Sequence, residues 1–382
     1  MDFHSLLTLM VVIWVAGKIF RAINLPVLFG ELLGGIIVGP LLLNVVDPTS
    51  PTVTVLAELG IFFLMLHTGL HTDPRGLLKA TKRSMLISVI SIILPFVAIF
   101  AAARFFNYDV NQSLFFAIGL SITAIAITAR ILKDYRIHKT KTAETVMGAA
   151  IINDILGLMI FSIIIDIAET GTIALEPLLW MLFKLVIFFG IIIFGGLRLS
   201  RHLGPILKDK GFTFAIIAAF TVGLLAEFIG LHMVIGAFLA GLFIREEVID
   251  EKVFNKIEDR IYGLSYSFLG PIFFASLAFS LDPSIFIESP LFLLVIFAIA
   301  TLCKLIGASV PAFLQIDKVG YGEATLMGLA MNSRGAVDLV IASIGLNMGI
   351  LDEKIFSMLI FLILATTLFS IFAIKPFAKY AK

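Results

Sequence analysis

The chain has 382 residues, 60% of them hydrophobic and only 14% charged, with a formal net charge of +1 and a mean hydropathy of +1.08. Such values lie far outside the range of a soluble domain, and basic residues scattered through loops exclude an electrostatic nucleic-acid binder. The single cysteine, Cys303, sits in an apolar stretch, has no partner for an intrachain disulfide and reads as core packing.

A helix needs roughly 20 apolar residues to cross the hydrocarbon core. In chain order, spans are predicted at 4–22, 27–45, 53–71, 84–105, 112–132, 143–166, 175–197 and 211–230. Further spans follow at 232–246, 261–281, 289–313, 321–347 and 354–376. The first lacks the basic region and small-residue cleavage site of a signal peptide and reads as a retained span. As one helix, residues 211–244 would extend about 50 Å, longer than the bilayer is thick, so a break is predicted near Gly230. The tenth span is expected to be interrupted near Pro271. The fold class is therefore an all-α polytopic membrane protein with about thirteen spans.

The distribution of basic residues tests that count. With the N-terminus outside and the C-terminus inside, the outward segments of the 28 Lys and Arg residues hold only Arg104 and Lys354. Lys184, Lys304 and Arg334 fall within spans, and all the others, from Lys18 and Arg21 through Arg75, Lys79, Arg198, Arg201, Lys208, Lys210, Lys318 and Lys382, fall on the inward side. The loops are short, so function is expected among the helices.

An ionisable group in mid-span costs at least roughly 2.5–3.5 kcal/mol, which makes each one a functional hypothesis. Four stand near mid-span: Asp154, Lys304, Arg334 and Asp338. Asp154 lies in an apolar setting beside Asn153, and its carboxylate, with the Asn153 amide carbonyl, can replace part of the hydration shell of sodium or potassium or take a proton instead. The alternative is a buried acid that pins helices by hydrogen bonds. Span 5, from Ser121 through Thr123 to Arg130, and span 12, with Asn332-Ser333-Arg334-Gly335 and Asp338, read as broken helices whose free ends face an ion. The alternative is an unbroken helix with hydroxyls bonded to the preceding turn. Spans 5 and 12 are an odd number of crossings apart, as inverted repeats of spans 1–6 and 8–13 require.

Arg334 and Asp338 would pair along one face if that helix were continuous, a structural role. Lys304 must find its partner across a helix interface, in Asp154 or in the carbonyls of a broken helix. Lys184 either snorkels or faces a groove. Glu58, with Glu31, is a candidate acid of an aqueous access path, whereas Glu227 and His232 read as interfacial. Gly34, Gly35 and Gly39, and the pairs Gly236 with Ala240 and Ala237 with Gly241, read as helix-packing or dimer surfaces.

Several of these residues together resemble the monovalent cation/proton antiporter superfamily, in the branch of bacterial sodium/proton antiporters and Kef-type potassium efflux systems. The resemblance rests on Gly34 to Pro40, Ala57-Glu58-Leu59-Gly60 to Leu64, the Thr123 stretch, Asn153-Asp154, Lys304 and Ser333-Arg334-Gly335, and it spans the whole chain. It implies crossing, discontinuous spans 5 and 12 within core segments 83–170 and 286–382. Segments 1–82 and 211–285 would form the scaffold and dimer face, and 171–210 would be a linking span. It further implies a homodimer in the cell membrane, of the prokaryotic inner-membrane kind, working by alternating access in pH homeostasis. Asp154, Asn153 and Thr123 would hold Na⁺ or K⁺ or the proton, supported by Lys304, Arg334 and Asp338, with no cofactor beyond the transported ions.

Two departures qualify the resemblance. These 382 residues hold no nucleotide-binding regulatory domain of the Kef kind. Asn153 stands where electrogenic members have a second acid, the usual partner of the lysine matched by Lys304, so charge counting favours one cation for one proton. Sodium is favoured over potassium and lithium. The competing readings are a cation channel, a sodium-coupled organic-anion symporter of the same fold, and a non-transporting membrane sensor or intramembrane enzyme. The enzyme reading is disfavoured because the sequence offers no evident zinc-binding histidine cluster or Ser/His pair within the membrane.

Overall fold

A computed structural model describes residues 3–72, 82–171, 180, 183, 184, 187, 188, 190, 211–247, 251–314 and 319–381. No strand forms among the described residues. The helices are α1 (Phe3–Ala22), α2 (Val27–Val38), α3 (Pro51–His71), α4 (Lys82–Phe105), α5 (Val110–Gly119), α6 (Ile125–Asp134) and α7 (Lys141–Thr170). They continue with α8 (Gly211–Phe228), α9 (Met233–Glu247), α10 (Glu251–Leu264), α11 (Gly270–Leu277), α12 (Ile285–Glu288), α13 (Pro290–Leu314), α14 (Tyr321–Met331), α15 (Ala336–Asn347) and α16 (Glu353–Ala373).

Among the described residues, nine helical runs are long and apolar enough to cross a membrane, and Val27–Val38 and Met233–Ile244 are shorter apolar helices. Most of predicted span 7, and the expected inner-loop residues Arg75, Lys79, Arg198, Arg201, Lys208, Lys210, Lys318 and Lys382, lie outside the described residues.

Two predicted spans, the second and the tenth, differ in detail. The second, expected to reach residue 45, ends at Val38. Gly39 is extended, and the N–H groups of Leu43, Asn44, Val45 and Val46 turn back onto the carbonyls of Ile37, Gly39 and Val38, with Asn44 at φ 48°. The fifth is broken into α5 and α6, as its polar run suggested. The tenth is not interrupted at Pro271. A π-helical turn, Ser265–Leu269, joins α10 to α11, and the Gly270 N–H donates to the Ser265 carbonyl. The wider turn absorbs the ring that would otherwise clash with the preceding turn.

The break predicted near Gly230 is present. Gly230 adopts φ 85°, the Lys184 ammonium donates to the adjacent Ile229 carbonyl at 3.3 Å, and His232 Nδ1 accepts from the Val234 N–H at 3.3 Å. That bond requires Nδ1 to be the unprotonated nitrogen of the ring. Lys184 thus closes a helix end, a contact that favours neither of the two readings the sequence suggested for it.

The chain divides into two compact units, Met1–Pro74 with Leu179–Leu281, and Arg75–Leu178 with Asp282–Lys382. In the first, Leu9, Ile13, Val38, Val46, Val53, Ile272, Ala275 and Phe279 form one apolar cluster, and glycines let backbones meet. A Cβ on Gly241 would lie 2.2 Å from the Leu66 carbonyl oxygen and 2.7 Å from the Leu70 nitrogen, so α9 touches α3 backbone to backbone and no side chain can yield. Gly241→Val is expected to separate the two helices and cost about 3 kcal/mol or more. Size-exclusion chromatography of the detergent-purified variant checks this, a wild-type monodisperse yield being the contrary result.

Candidate ion-binding site

All the mid-span charges singled out in the sequence lie in the second unit, at the crossing of two interrupted helices. In the first, α5 starts with a capping box between Asp109 and Gln112 and stops at Gly119, and α6 starts at Ile125. In the second, α14 ends at Met331 and α15 begins at Ala336. Small and polar residues at both gaps let the backbone leave the helix, and each gap must then satisfy its freed N–H and C=O groups without water.

The two gaps satisfy one another. The Ala124 N–H donates to the Ser333 carbonyl at 2.9 Å, the Thr123 hydroxyl to the Met331 carbonyl at 2.6 Å and the Thr128 hydroxyl to the Ala330 carbonyl at 3.3 Å. Thr128 and Ser333 share a hydroxyl bond at 2.6 Å. The carbonyl end of α5 is met by charge instead. Lys304, from α13, donates to the Ser121 carbonyl, and Arg334 donates to the Leu120 carbonyl and to the Asn332 side-chain oxygen at 3.1 Å. Two cations against the negative end of a half-helix are electrostatically favourable. At the opposite polarity, the Asp338 carboxylate accepts from the Gly335 N–H at 2.7 Å and caps the start of α15.

The pairing of Arg334 with Asp338 was conditional on a continuous helix; the helix is broken, as the polar run suggested, and each side chain serves a different helix end. Of the two partners open to Lys304, it takes the carbonyl of a broken helix. The Asn153 amide also differs in detail from the sequence expectation: its oxygen accepts from the Thr123 N–H at 2.9 Å, while its nitrogen donates to Ser91 Oγ at 3.3 Å and to the Ser88 carbonyl at 3.4 Å. Asn153 is thereby a clamp tying α7 to the first gap and to α4, with one carbonyl lone pair left over.

Asp154 is unlike its neighbours. It is 1% exposed, neither carboxylate oxygen has a hydrogen-bond partner, and it lies near enough to Lys304 and Asp338 to feel their charges. Ser88 Oγ, Thr301 Oγ1 and Asp338 Oδ1, in the same unit, are also buried without a partner. Buried polar atoms are nearly always satisfied, and an orphaned one signals an ion, a water or a functional role. Sequence reasoning passed over Ser88, Ser91 and Thr301, and took Thr128 only as one of the hydroxyls of span 5. The hydroxyls of span 5 were visible in the sequence, whereas the two serines of α4 carry no signal there.

Glu58 lies in the first unit, exposed on α3, and Glu31 is buried in α2. One grouping in the first unit overturns a sequence expectation. His67 and His71 of α3 and Glu258 of α10 bring three potential metal-ligand atoms within 4.8 Å of one another, so a histidine cluster is present after all. The four-residue His spacing on one helix was the available signal; Glu258, 187 residues beyond His71, had none.

An all-helical, multi-pass membrane protein in which two broken helices cross over buried charges is the architecture that places ion sites at helix interruptions. The chain belongs to the transmembrane sodium/hydrogen exchanger family, whose profile matches residues 6–380. It is 29% identical to a Na⁺/H⁺ antiporter of Enterococcus hirae, covering 99% of both chains. It is 28% identical to the Na⁺/H⁺-K⁺ antiporter GerN of Bacillus cereus, over 96% of this chain and 92% of that one. In fold it matches the sodium proton antiporter MjNhaP1 of Methanocaldococcus jannaschii with a TM-score of 0.76 at 18% identity, over 97% of this chain and 96% of that one.

Proposed function

We propose that this chain is a secondary active antiporter that exchanges a monovalent cation, Na⁺ before K⁺ or Li⁺, for H⁺ by alternating access, with Asp154 holding cation and proton in turn. The observation that carries this reading is the buried Asp154 carboxylate whose two oxygens have no partner. A cation of sodium size takes carboxylate, amide and hydroxyl oxygens; Asn153 precedes Asp154 in the chain and is tied to Thr123 by a hydrogen bond. The names of the relatives, Na⁺/H⁺ and Na⁺/H⁺-K⁺ antiporters, support the substrate class.

Charge counting supports a one-for-one, electroneutral cycle. Asp154 and Asp338 oppose Lys304 and Arg334, so the core carries the same net charge whether Asp154 holds Na⁺ or H⁺, provided Lys304 keeps its proton. Thirteen spans with the N-terminus outside, inverted repeats and a homodimer joined through the first unit complete the proposal, the second unit being the moving core.

Proton flux into proteoliposomes is the test, with the membrane potential clamped and Na⁺, K⁺ or Li⁺ added in turn. Na⁺-driven flux whose reversal follows the chemical gradients alone is the expected result. Flux that reverses as a two-proton process would overturn the stoichiometry, and no flux with any of the three ions would overturn the exchanger reading.

A further inference from the structure

The cluster on α3 and α10 belongs to the first unit and takes no part in the exchange proposed above. His67 and His71 are four residues apart, so one helix face presents both imidazoles, their ring centroids 4.4 Å apart. Glu258 reaches them from α10, its Oε1 3.0 Å from His71 Nε2 and 3.5 Å from His67 Nε2. Tyr262 and Tyr266, one and two turns further along the same helical run, close over the His67 ring at 5.5 and 5.0 Å.

The three side chains do not satisfy one another. His67 is 5% exposed, and its Nε2 has no hydrogen-bond partner, because one carboxylate oxygen cannot align with both imidazoles and the bond goes to His71. A cation shared by the three atoms removes the conflict by accepting a lone pair from each. A tetrahedral zinc-class ion with bonds of about 2.0–2.1 Å needs ligand atoms about 3.3 Å apart, and the two measured separations bracket that value. Two imidazoles with one carboxylate is a nitrogen-rich set that selects transition metals over magnesium or calcium.

We propose that His67, His71 and Glu258 form a binding site for a divalent transition-metal ion of the zinc class, which ties α3 to α10. His71 is exposed, so the site opens on the surface and leaves a fourth position to water. Lys256 and Arg260 flank Glu258 in sequence, and by the basic-residue pattern this end of α3 belongs to the inner face.

The test is equilibrium dialysis of the tag-free, full-length protein in detergent against Zn²⁺, with metal analysis and a thermal melt of each sample. One Zn²⁺ per chain is expected, together with a Tm increase that EDTA reverses and that Mg²⁺ and Ca²⁺ do not produce. Because His67 is buried, the exposed and half-buried partners carry the comparison: His71→Gln and Glu258→Gln should each weaken Zn²⁺ binding at least about tenfold without lowering the metal-free Tm. Binding that is substoichiometric, unchanged from wild type in both variants, or matched by Mg²⁺ would overturn the proposal. Proton exchange with Na⁺ is read separately, so failure here leaves the antiport reading untouched.

Discussion

Asp154→Asn is expected to reduce cation-driven proton flux in proteoliposomes to the rate of protein-free vesicles while leaving the protein at least as stable as wild type. At an effective dielectric constant near 20, a monovalent cation about 2.4 Å from a full carboxylate charge gains about 7 kcal/mol. An amide oxygen keeps only a fraction of that, so a loss of at least about a hundredfold in transport follows. Asn cannot take up and release the proton either, so both halves of the cycle fail at one atom. Stability should not suffer, because neither carboxylate oxygen makes a hydrogen bond that the substitution could remove. Flux within a factor of two of wild type, or a drop in Tm, would reassign Asp154 to a structural role.

Arg334→Ala should do the reverse, damaging the fold first. Arg334 is 1% exposed and holds three chain segments together: its guanidinium serves Leu120 and Asn332, and its backbone N–H and carbonyl both bond to Thr367 Oγ1, at 2.9 and 3.0 Å. Alanine leaves the Leu120 carbonyl at the end of α5 without its guanidinium partner and removes one cation from the buried set. Taking one member from a buried charged network costs about 3–5 kcal/mol, enough to expect a Tm decrease of several degrees and poor recovery in detergent. A thermal melt of purified protein checks it, and wild-type Tm with altered transport would instead make Arg334 a functional group alone. Asp154 and Arg334 divide the labour of one site, the first kept free of bonds and the second committed to them.

Much of the site was legible in the sequence for an energetic reason. Lipid penalises a charge so heavily that Asp154, Lys304, Arg334 and Asp338 stand out from a 60% hydrophobic background, and the structure gathers all four in one unit. The gaps at Thr123 and Asn332 were visible as polar runs within apolar spans. Partner choice was not legible. Whether Lys304 meets a carboxylate or the Ser121 carbonyl depends on where α13 crosses α5, and no local pattern encodes that crossing. The early end of α2 was missed because residues 41–46 are apolar enough for a span, while the turn is set by Gly39, Pro40 and Asn44. The π-helical turn was read as an interruption because proline marks a fault in the helix ladder without saying how it is repaired.

That π-helical turn also controls phase. An α-helix turns about 100° per residue, so side chains spaced four apart drift steadily around its axis. Glu258, Tyr262 and Tyr266 are spaced in this way and face His67, and Leu269 at the end of the turn and Phe273 beyond it still face α3, meeting Gly60. The extra residue in the wide turn winds the helix back and cancels the accumulated drift, keeping one continuous face on α3 through the run Lys252–Ser280. Ser265 fixes the position of this correction by donating to the Phe63 carbonyl at 2.8 Å. Deleting a single residue between 265 and 269 would restore ordinary winding and rotate everything before it by about 100°. The helix would survive as a helix but turn Glu258 away from the two histidines, so the length of this segment, as much as its composition, sets what α3 and α10 can hold between them.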